Sequence, residues 1–318
     1  MASDDALSAP IRKPSGVALD SIGRMIAKRR FFNGVAGAIL CSAALSSIAI
    51  TCGIVAVLVI ESSTFFAHVS LVDFFTDTMW TPSFEPPHFG ILPLVAGTLG
   101  TTAVALSIAL PVGTIVAIYL SEFAPAKIRE VIKPLLELLS AVPTIVYGFF
   151  ALEFVTPMLQ RIVPGLPTFN MLSAGIVMGL MIIPYVSSLS EDAMRSVPML
   201  LREGSYGMGA NRLQTALNIV YPAAFSGIAS AYVLGISRAI GETMIVAIAA
   251  GMQPNLTLDP RQPAATITAF IVQVSQGDSR HGSVSYQSIF AAGITLFCMT
   301  LIFNIFGYYL RKRFHQAY

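Results

Sequence analysis

Apolar residues along this chain come in long unbroken runs separated by shorter polar stretches, rather than at a helical or strand period. Residues 31–60 contain no charged side chain at all. About 20 apolar residues in helix suffice to cross the hydrocarbon of a bilayer, so this run predicts a first membrane span. Five further spans are predicted within residues 89–121, 134–152, 171–190, 223–251 and 288–310. The expected fold is therefore all-α: a polytopic membrane protein of six transmembrane helices. Residues 1–30 read as a tail or an interfacial helix, and 31–318 as one six-helix domain. The apolar run after residue 30 is too long for a cleavable signal peptide. Neither a tandem repeat nor a soluble domain is evident.

Composition supports the same class. The chain is 55% hydrophobic and 11% charged, with a mean hydropathy of +0.73, whereas soluble domains carry about a quarter charged residues. The net charge of +2 matters less than its distribution. With the N-terminus inside, fifteen basic residues fall on inner segments, and only Arg161, Arg261 and Arg280 fall outside. Basic loops stay on the cytoplasmic side, so both termini and residues 191–222 are expected there. Cys41, Cys52 and Cys298 all lie in apolar runs, and the four histidines are scattered. Neither set has metal-ligand or disulfide spacing, and nothing suggests nucleic acid.

Residues 191–222 are polar and punctuated by glycine inside this apolar chain. Ser196 is a candidate N-cap, with Pro198 in the first turn. Gly209 is placed to end that helix, since glycine takes the left-handed conformation without penalty. Asn211 with Gln214 three residues on has the form of a capping box, restarting a helix that Pro222 ends. The expectation is helix, tight bend, helix at a membrane surface.

Prolines fall within three predicted spans, Pro111, Pro143 and Pro184. Each frees a carbonyl that must be met by protein or by water lining a cavity; ordinary kinking and a translocation path are both open readings. Glu137, four residues beyond Lys133, is expected to reach the interface. Arg238 and Glu242 lie deep in the fifth predicted span. A charge there is expensive and should face a bundle interior or water. Four residues apart on a helix, the two would pair, either as a self-neutralising structural pair or as an anion contact. Arginine offers a planar fork of donors suited to phosphate or sulfate. A neighbouring carboxylate would favour a protonated oxyanion, hence phosphate. Thr98, Thr101 and Thr102 on one helix face, with Thr144, Tyr147, Ser187 and Ser188, are candidate hydroxyls for the ion's shell, although such groups also bond their own helix carbonyls.

Two sets of residues carry a family resemblance. Glu203, Gly204 and Ser205, then Gly209, Ile219 and Pro222, fall on the spacing of the cytoplasmic coupling loop of ATP-binding-cassette importer permeases (E-A-A, three residues, Gly, nine residues, Ile, any residue, Leu-Pro). Gly-Ser stands for Ala-Ala, and Tyr221 for the Leu. The stretches SRAIGETM, ELLSAVPTIVYG and WTPSFEPPHFGILPLVAGTLGTT resemble the phosphate-specific, Pst-type importer permeases, closer to the PstC than to the PstA permease. Thr144 departs from the Ser expected there. The resemblance covers all six spans and leaves the first thirty residues unmatched. It implies a type I importer permease fold of the MetI-like kind. The implied partners are a PstA-type sister permease in a heterodimer, two PstB-type ATPase subunits and a periplasmic PstS-type phosphate-binding protein. It also implies that Arg238 and Glu242 act in transport and that residues 203–222 dock on the ATPase. The chain has no G-x-x-x-x-G-K-S/T loop, so it is expected to be a transport subunit and not an enzyme. No cofactor of its own is expected, ATP and magnesium being held by the partner subunits. A permease for sulfate, molybdate or phosphonate is the alternative within the class. A stand-alone secondary anion transporter is the alternative outside it; such proteins often carry inverted repeats, which are not found here.

Overall fold

A computed structural model describes residues 16–82, 84–277, 280 and 282–313. The chain divides into two units, 1–57 and 58–318. Helix α1 spans Gly16–Phe66. Residues 16–30, expected as a tail or an interfacial helix, belong to it as far as they are described; residues 1–15 lie outside the described residues. In the first unit Ile39, Leu40, Leu45, Ile48, Ile50 and Ile54 are all more than half exposed. Apolar surface on that scale is unfavourable in water by about 25 cal/mol per Å²; in hydrocarbon the penalty vanishes.

In the second unit, α1 leads into α2 (Leu71–Thr76) and a two-stranded antiparallel hairpin, β1 (Trp80–Thr81) and β2 (His88–Phe89), with Trp80 opposite Phe89. The segment between the first two predicted spans is thus largely structured. Asp77 accepts hydrogen bonds from the Met79 amide and His88. Helix α3 (Leu92–Ile118) continues through a π turn at Tyr119–Phe123. Then follow α4 (Ala126–Ala141), α5 (Thr144–Phe150), a π turn at Ala151–Val155 and α6 (Thr156–Ile162). Helix α7 is Met171–Arg195.

After α7 come α8 (Met199–Gly207), α9 (Arg212–Thr215), a π turn at Ala216–Val220 and α10 (Tyr221–Ala223). The last elements are α11 (Phe225–Ile240), α12 (Met244–Ala249), α13 (Ile267–Ser275) and α14 (Val284–Arg313). Among the described residues, five helices are long and apolar enough to cross a membrane, and a sixth if the pair Arg212–Ala223 and Phe225–Ile240, bent by 73°, is one span.

The third span is displaced from its expected place. It is Thr144–Ile162, and α4 before it is amphipathic and outside it. Charges at Lys127, Arg129, Glu130, Lys133 and Glu137 make α4 a poor spanning segment. Pro143 is therefore not a mid-span proline; it stands at the N-terminus of α5, where its missing N–H is harmless. Pro111 and Pro184 do lie inside α3 and α7.

The core of this unit is α3 packed along α7, closed by α11, α12 and α5 around Met178, Met181, Ile182 and Ile245. Small residues let the helices approach, as is usual where lipid removes any hydrophobic drive between helices. A Cβ on Gly175 would meet the Val104 side chain at 2.6 Å, and one on Gly179 the Ala105 carbonyl oxygen at 2.8 Å. A second, aromatic core joins the hairpin to α13 and the start of α14. Trp80 stands edge-on to Phe270 at 4.9 Å, and Phe65 to Phe74 at 5.9 Å.

The close α3–α7 contact yields a stability prediction. Gly175→Val overpacks the core and destabilises the detergent-solubilised chain by about 1–3 kcal/mol. Gly37→Ala, where nothing lies within 4 Å of the added Cβ, is tolerated; thermal unfolding monitored by circular dichroism distinguishes them.

Candidate functional site

The fifth predicted span is not one helix. Helix α11 stops at Ile240, and α12 begins at Met244. Between them the ladder is interrupted: the Gly241 amide still reaches Ser237 O, but that of Glu242 turns back onto Ala239 O. Residues 238 and 242 therefore do not sit one turn apart on a common face. The expected Arg238–Glu242 pair is absent: no ion pair of Arg238 is found among the described residues. The Glu242 carboxylate instead turns onto the start of α12 and accepts from the amides of Met244 (3.1 Å) and Ile245 (3.4 Å). This placement satisfies orphan donors and puts a negative charge at the positive end of a helix. The Glu242 carbonyl accepts from the Thr268 hydroxyl at 2.7 Å.

Arg238 is left without a carboxylate. Its guanidinium lies over the Tyr185 ring, 4.5 Å from the centroid, and Nη2 is 3.8 Å from the Met181 sulfur. Its Nε is buried with no hydrogen-bond partner. A ring face and a thioether partly compensate the charge; neither replaces an anion. Met181, Tyr185 and Ser188 share one face of α7 by their spacing, so Ser188 is on the arginine's side.

The break between α4 and α5 adjoins this point. Two tyrosines take carbonyls of the last turn of α4. Tyr147 donates to Leu139 O at 2.7 Å, and Tyr185 to Ser140 O at 3.5 Å. Carbonyls of a last helical turn lack the usual intrahelical donor; Leu139 O also takes the Val142 amide at 3.4 Å. Thr144, half-buried, opens α5.

The other predicted hydroxyls lie elsewhere. Thr98, Thr101, Thr102 and Ser187 are buried. Thr98 donates to Leu94 O and accepts the Ile267 amide at 3.1 Å, holding the start of α13. Thr101 donates to its own Gly97 carbonyl, and Ser187 to Pro184 O. The Thr102 hydroxyl has no partner. Thr98 is linked to the broken helix through α13 and Thr268, not to Arg238.

The polar loop forms the two helices expected, with different boundaries. Ser196 ends α7, and Pro198 is the residue before α8. Gly209 has φ +86°, with Gly209 N on Tyr206 O and Ala210 N on Ser205 O. This is the paired pattern of a Schellman motif. The Asn211–Gln214 capping box forms in both directions. Pro222 does not end the second helix. The π turn widens the helix ahead of it, and the bend comes after Ala223. Glu203, Gly204, Gly209 and Pro222 are exposed, and Ser205 and Ile219 are half-buried. The Ser205 hydroxyl meets that of Thr215 at 2.8 Å, tying α8 to α9. Around them Met199, Leu200 and Met208 are exposed, Met208 at 89%.

Two ion-pair systems anchor this loop to the spans. The guanidinium of Arg202 straddles the Glu122 carboxylate, with Nη2 at 3.0 Å and Nε at 3.3 Å, and also donates to Met194 O and Val197 O. Both side chains are nearly buried, 11% and 5% exposed. Glu191, 1% exposed, faces Lys133 at 2.7 Å, Arg129 at 3.7 Å and Arg195 at 3.8 Å, while Lys133 also meets Asp192 at 2.5 Å. Burial disfavours the Lys133 ammonium, but Asp192 and Glu191 outweigh it and raise its pKa above the ordinary value. These contacts were not foreseen. Glu122 and Arg202 are 80 residues apart, and no local spacing rule joins them; the signal in the sequence was a carboxylate, Glu122 or Glu191, at the end of an apolar run.

The chain is similar to known proteins. Residues 109–316 match the family of binding-protein-dependent transport system inner membrane components. The chain belongs to that family, and it is a multi-pass membrane permease subunit. Its relatives include the probable ABC transporter permease protein YqgH of Bacillus subtilis, 36% identical over 77% of this chain and 79% of that protein. They also include the phosphate transport system permease protein PstC of Mesorhizobium japonicum, 32% identical over 76% and 78%. Within the family, then, its likeness is to the PstC-type permeases. A bacterial alginate ABC transporter, solved in complex with an alginate pentasaccharide-bound periplasmic protein, shares the fold at a TM-score of 0.61 and 18% identity, over 86% of this chain and 94% of that one. The MetNI methionine ABC transporter, in inward-facing conformations, aligns at 0.52 and 17% over 71% and 95%.

A double-mutant cycle tests the buried anchor. Glu122→Gln leaves Arg202 unpaired and costs about 3–5 kcal/mol, whereas Glu122→Gln with Arg202→Met costs less than that single change. Chemical denaturation of the solubilised chain reads the difference.

Proposed function

We propose that this chain is one membrane subunit of an ATP-driven importer of inorganic phosphate, and that Arg238 receives the ion on its path. The observation that carries the reading is a half-buried guanidinium with no carboxylate, held by a tyrosine ring at a break in a membrane helix. An arginine in a span is costly by several kcal/mol. Its retention without a counter-charge is accounted for by an anion that visits. Phosphate, rather than sulfate or another oxyanion, is favoured by the PstC-type relatives. Glu242, engaged with α12, is not the neighbour that would select a protonated oxyanion at Arg238.

Function requires coupling to an energy source. The exposed Glu203, Gly204 and Gly209, with Met199, Leu200 and Met208 beside them, form the surface offered to the ATPase subunits on the cytoplasmic side. Nucleotide-driven movement there is carried into α3 through Glu122–Arg202 and into α7 directly, alternating access to Arg238. A sister permease of the PstA type completes the membrane unit, and a periplasmic phosphate-binding protein delivers the ion at the hairpin end.

Arg238→Gln is expected to reduce phosphate uptake at least tenfold, since glutamine offers neither charge nor fork, while the subunits still co-purify. Uptake near the unmutated rate removes Arg238 from the path. Glu203→Lys is expected to leave the chain in the membrane but abolish substrate-stimulated ATP hydrolysis; unchanged transport and ATPase binding would refute the docking surface. Sulfate and molybdate competing with phosphate at equal concentration in proteoliposomes would overturn the substrate assignment.

A further inference from the structure

A cavity of about 830 Å³ opens beside the two-helix loop, between the π turn after α3, the start of α4 and α8. Its charged lining is Arg129, Arg195, Arg202 and Arg212 against one carboxylate, Glu122. That carboxylate is fully engaged by the fork of Arg202. Arg129 and Arg195 reach only a single oxygen of Glu191, at 3.7 and 3.8 Å, beyond hydrogen-bond range. That oxygen has no hydrogen-bond partner, while the other is taken by Lys133. Arg212 is exposed and makes no ion pair among the described residues. Arg129, Arg195 and Arg212 thus line one space together with Tyr206, none of the three hydrogen-bonded to a carboxylate among the described residues.

We propose that this cavity is an anion site for a phosphate group, supplied either by the headgroup of an anionic phospholipid or by free inorganic phosphate. Guanidinium forks match phosphate oxygens two at a time. The volume exceeds that of a bare phosphate and leaves room for a glycerol headgroup. Basic pockets between helices near the inner surface draw anionic lipid there. A bound phosphate bridges α4, α7 and the loop at the end where the loop must move, so its occupancy sets how freely the loop shifts. The inference is independent of what the permease carries.

The test uses the assembled, purified complex, in an Arg238→Gln background so that phosphate on the transport path does not contribute. One arm measures retention of phosphatidylglycerol against phosphatidylcholine by native mass spectrometry. The other measures binding of radiolabelled inorganic phosphate in lipid-free detergent. The triple variant Arg129→Gln, Arg195→Gln, Arg212→Gln is expected to weaken binding about a hundredfold, at about fivefold per charge. Arg261→Gln, whose guanidinium pairs with Asp259 far from the loop, is expected to change neither arm. Loss confined to the first arm assigns the site to lipid, and loss confined to the second assigns it to free phosphate. If the triple variant does not assemble, Arg212→Gln alone is expected to show a fivefold loss. Unchanged binding in both arms, equal loss in the Arg261 control, or no anion bound once the ATPase subunits are in place would overturn the proposal.

Discussion

Backbone amides and carbonyls have no water to turn to inside a bilayer, and each one left unmet costs several kcal/mol. A helix interrupted at Gly241–Thr243 is viable only because side chains and neighbouring backbone close the gap. The Glu242 carboxylate takes two free amides of α12, and Thr268 takes the Glu242 carbonyl. Thr98 in turn holds the first amide of α13. This small network spans three elements, and its consequence is electrostatic. By committing Glu242 to backbone, it leaves Arg238 with an aromatic ring and a sulfur in place of a counter-ion.

The same constraint recurs at the α4–α5 junction. Pro143 separates an amphipathic helix from a spanning one, and the carbonyls exposed there are met by Tyr147 and Tyr185. Tyr185 therefore has two roles, supporting the guanidinium with its ring and closing α4 with its hydroxyl. Tyr185 thereby links the end of α4 to Arg238 on α11.

Ion pairs are placed at the other end of the unit, where the spans emerge. Buried pairs contribute little net stability against apolar replacements, but losing one partner is severe. Glu122–Arg202 and the Glu191 group fix the loop to α3 and join α4 to α7. Rigid attachment on one side and open residues on the other suit a part that must be moved from outside.

Much was legible in one dimension because lipid imposes a simple rule. Length and apolarity place α1, α3, α7 and α14, and glycine at 209 with Asn211 and Gln214 specifies a bend and a capped helix through local backbone preference alone. The loop motif was legible for the same reason, being contiguous. Where the residues' meaning depended on partners distant in the chain, sequence reading failed. Arg238 and Glu242 are four apart, and only the tertiary packing of α13 against the break shows that they do not pair. Hydroxyls at 98, 101, 102 and 187 carry the same signal as those at 144, 147 and 188; that Thr98 ties α3 to α13 while Thr101 and Ser187 bond within their own helices is decided by which helix packs beside them. The third span was misplaced because a charged amphipathic helix and the start of an apolar one run together without a compositional gap. Chain chemistry alone thus determined a membrane bundle with a polar, glycine-punctuated loop and a cation within an apolar run. Packing decided the cation's neighbours, since the charge balance at Arg238 is set by contacts between helices rather than along one.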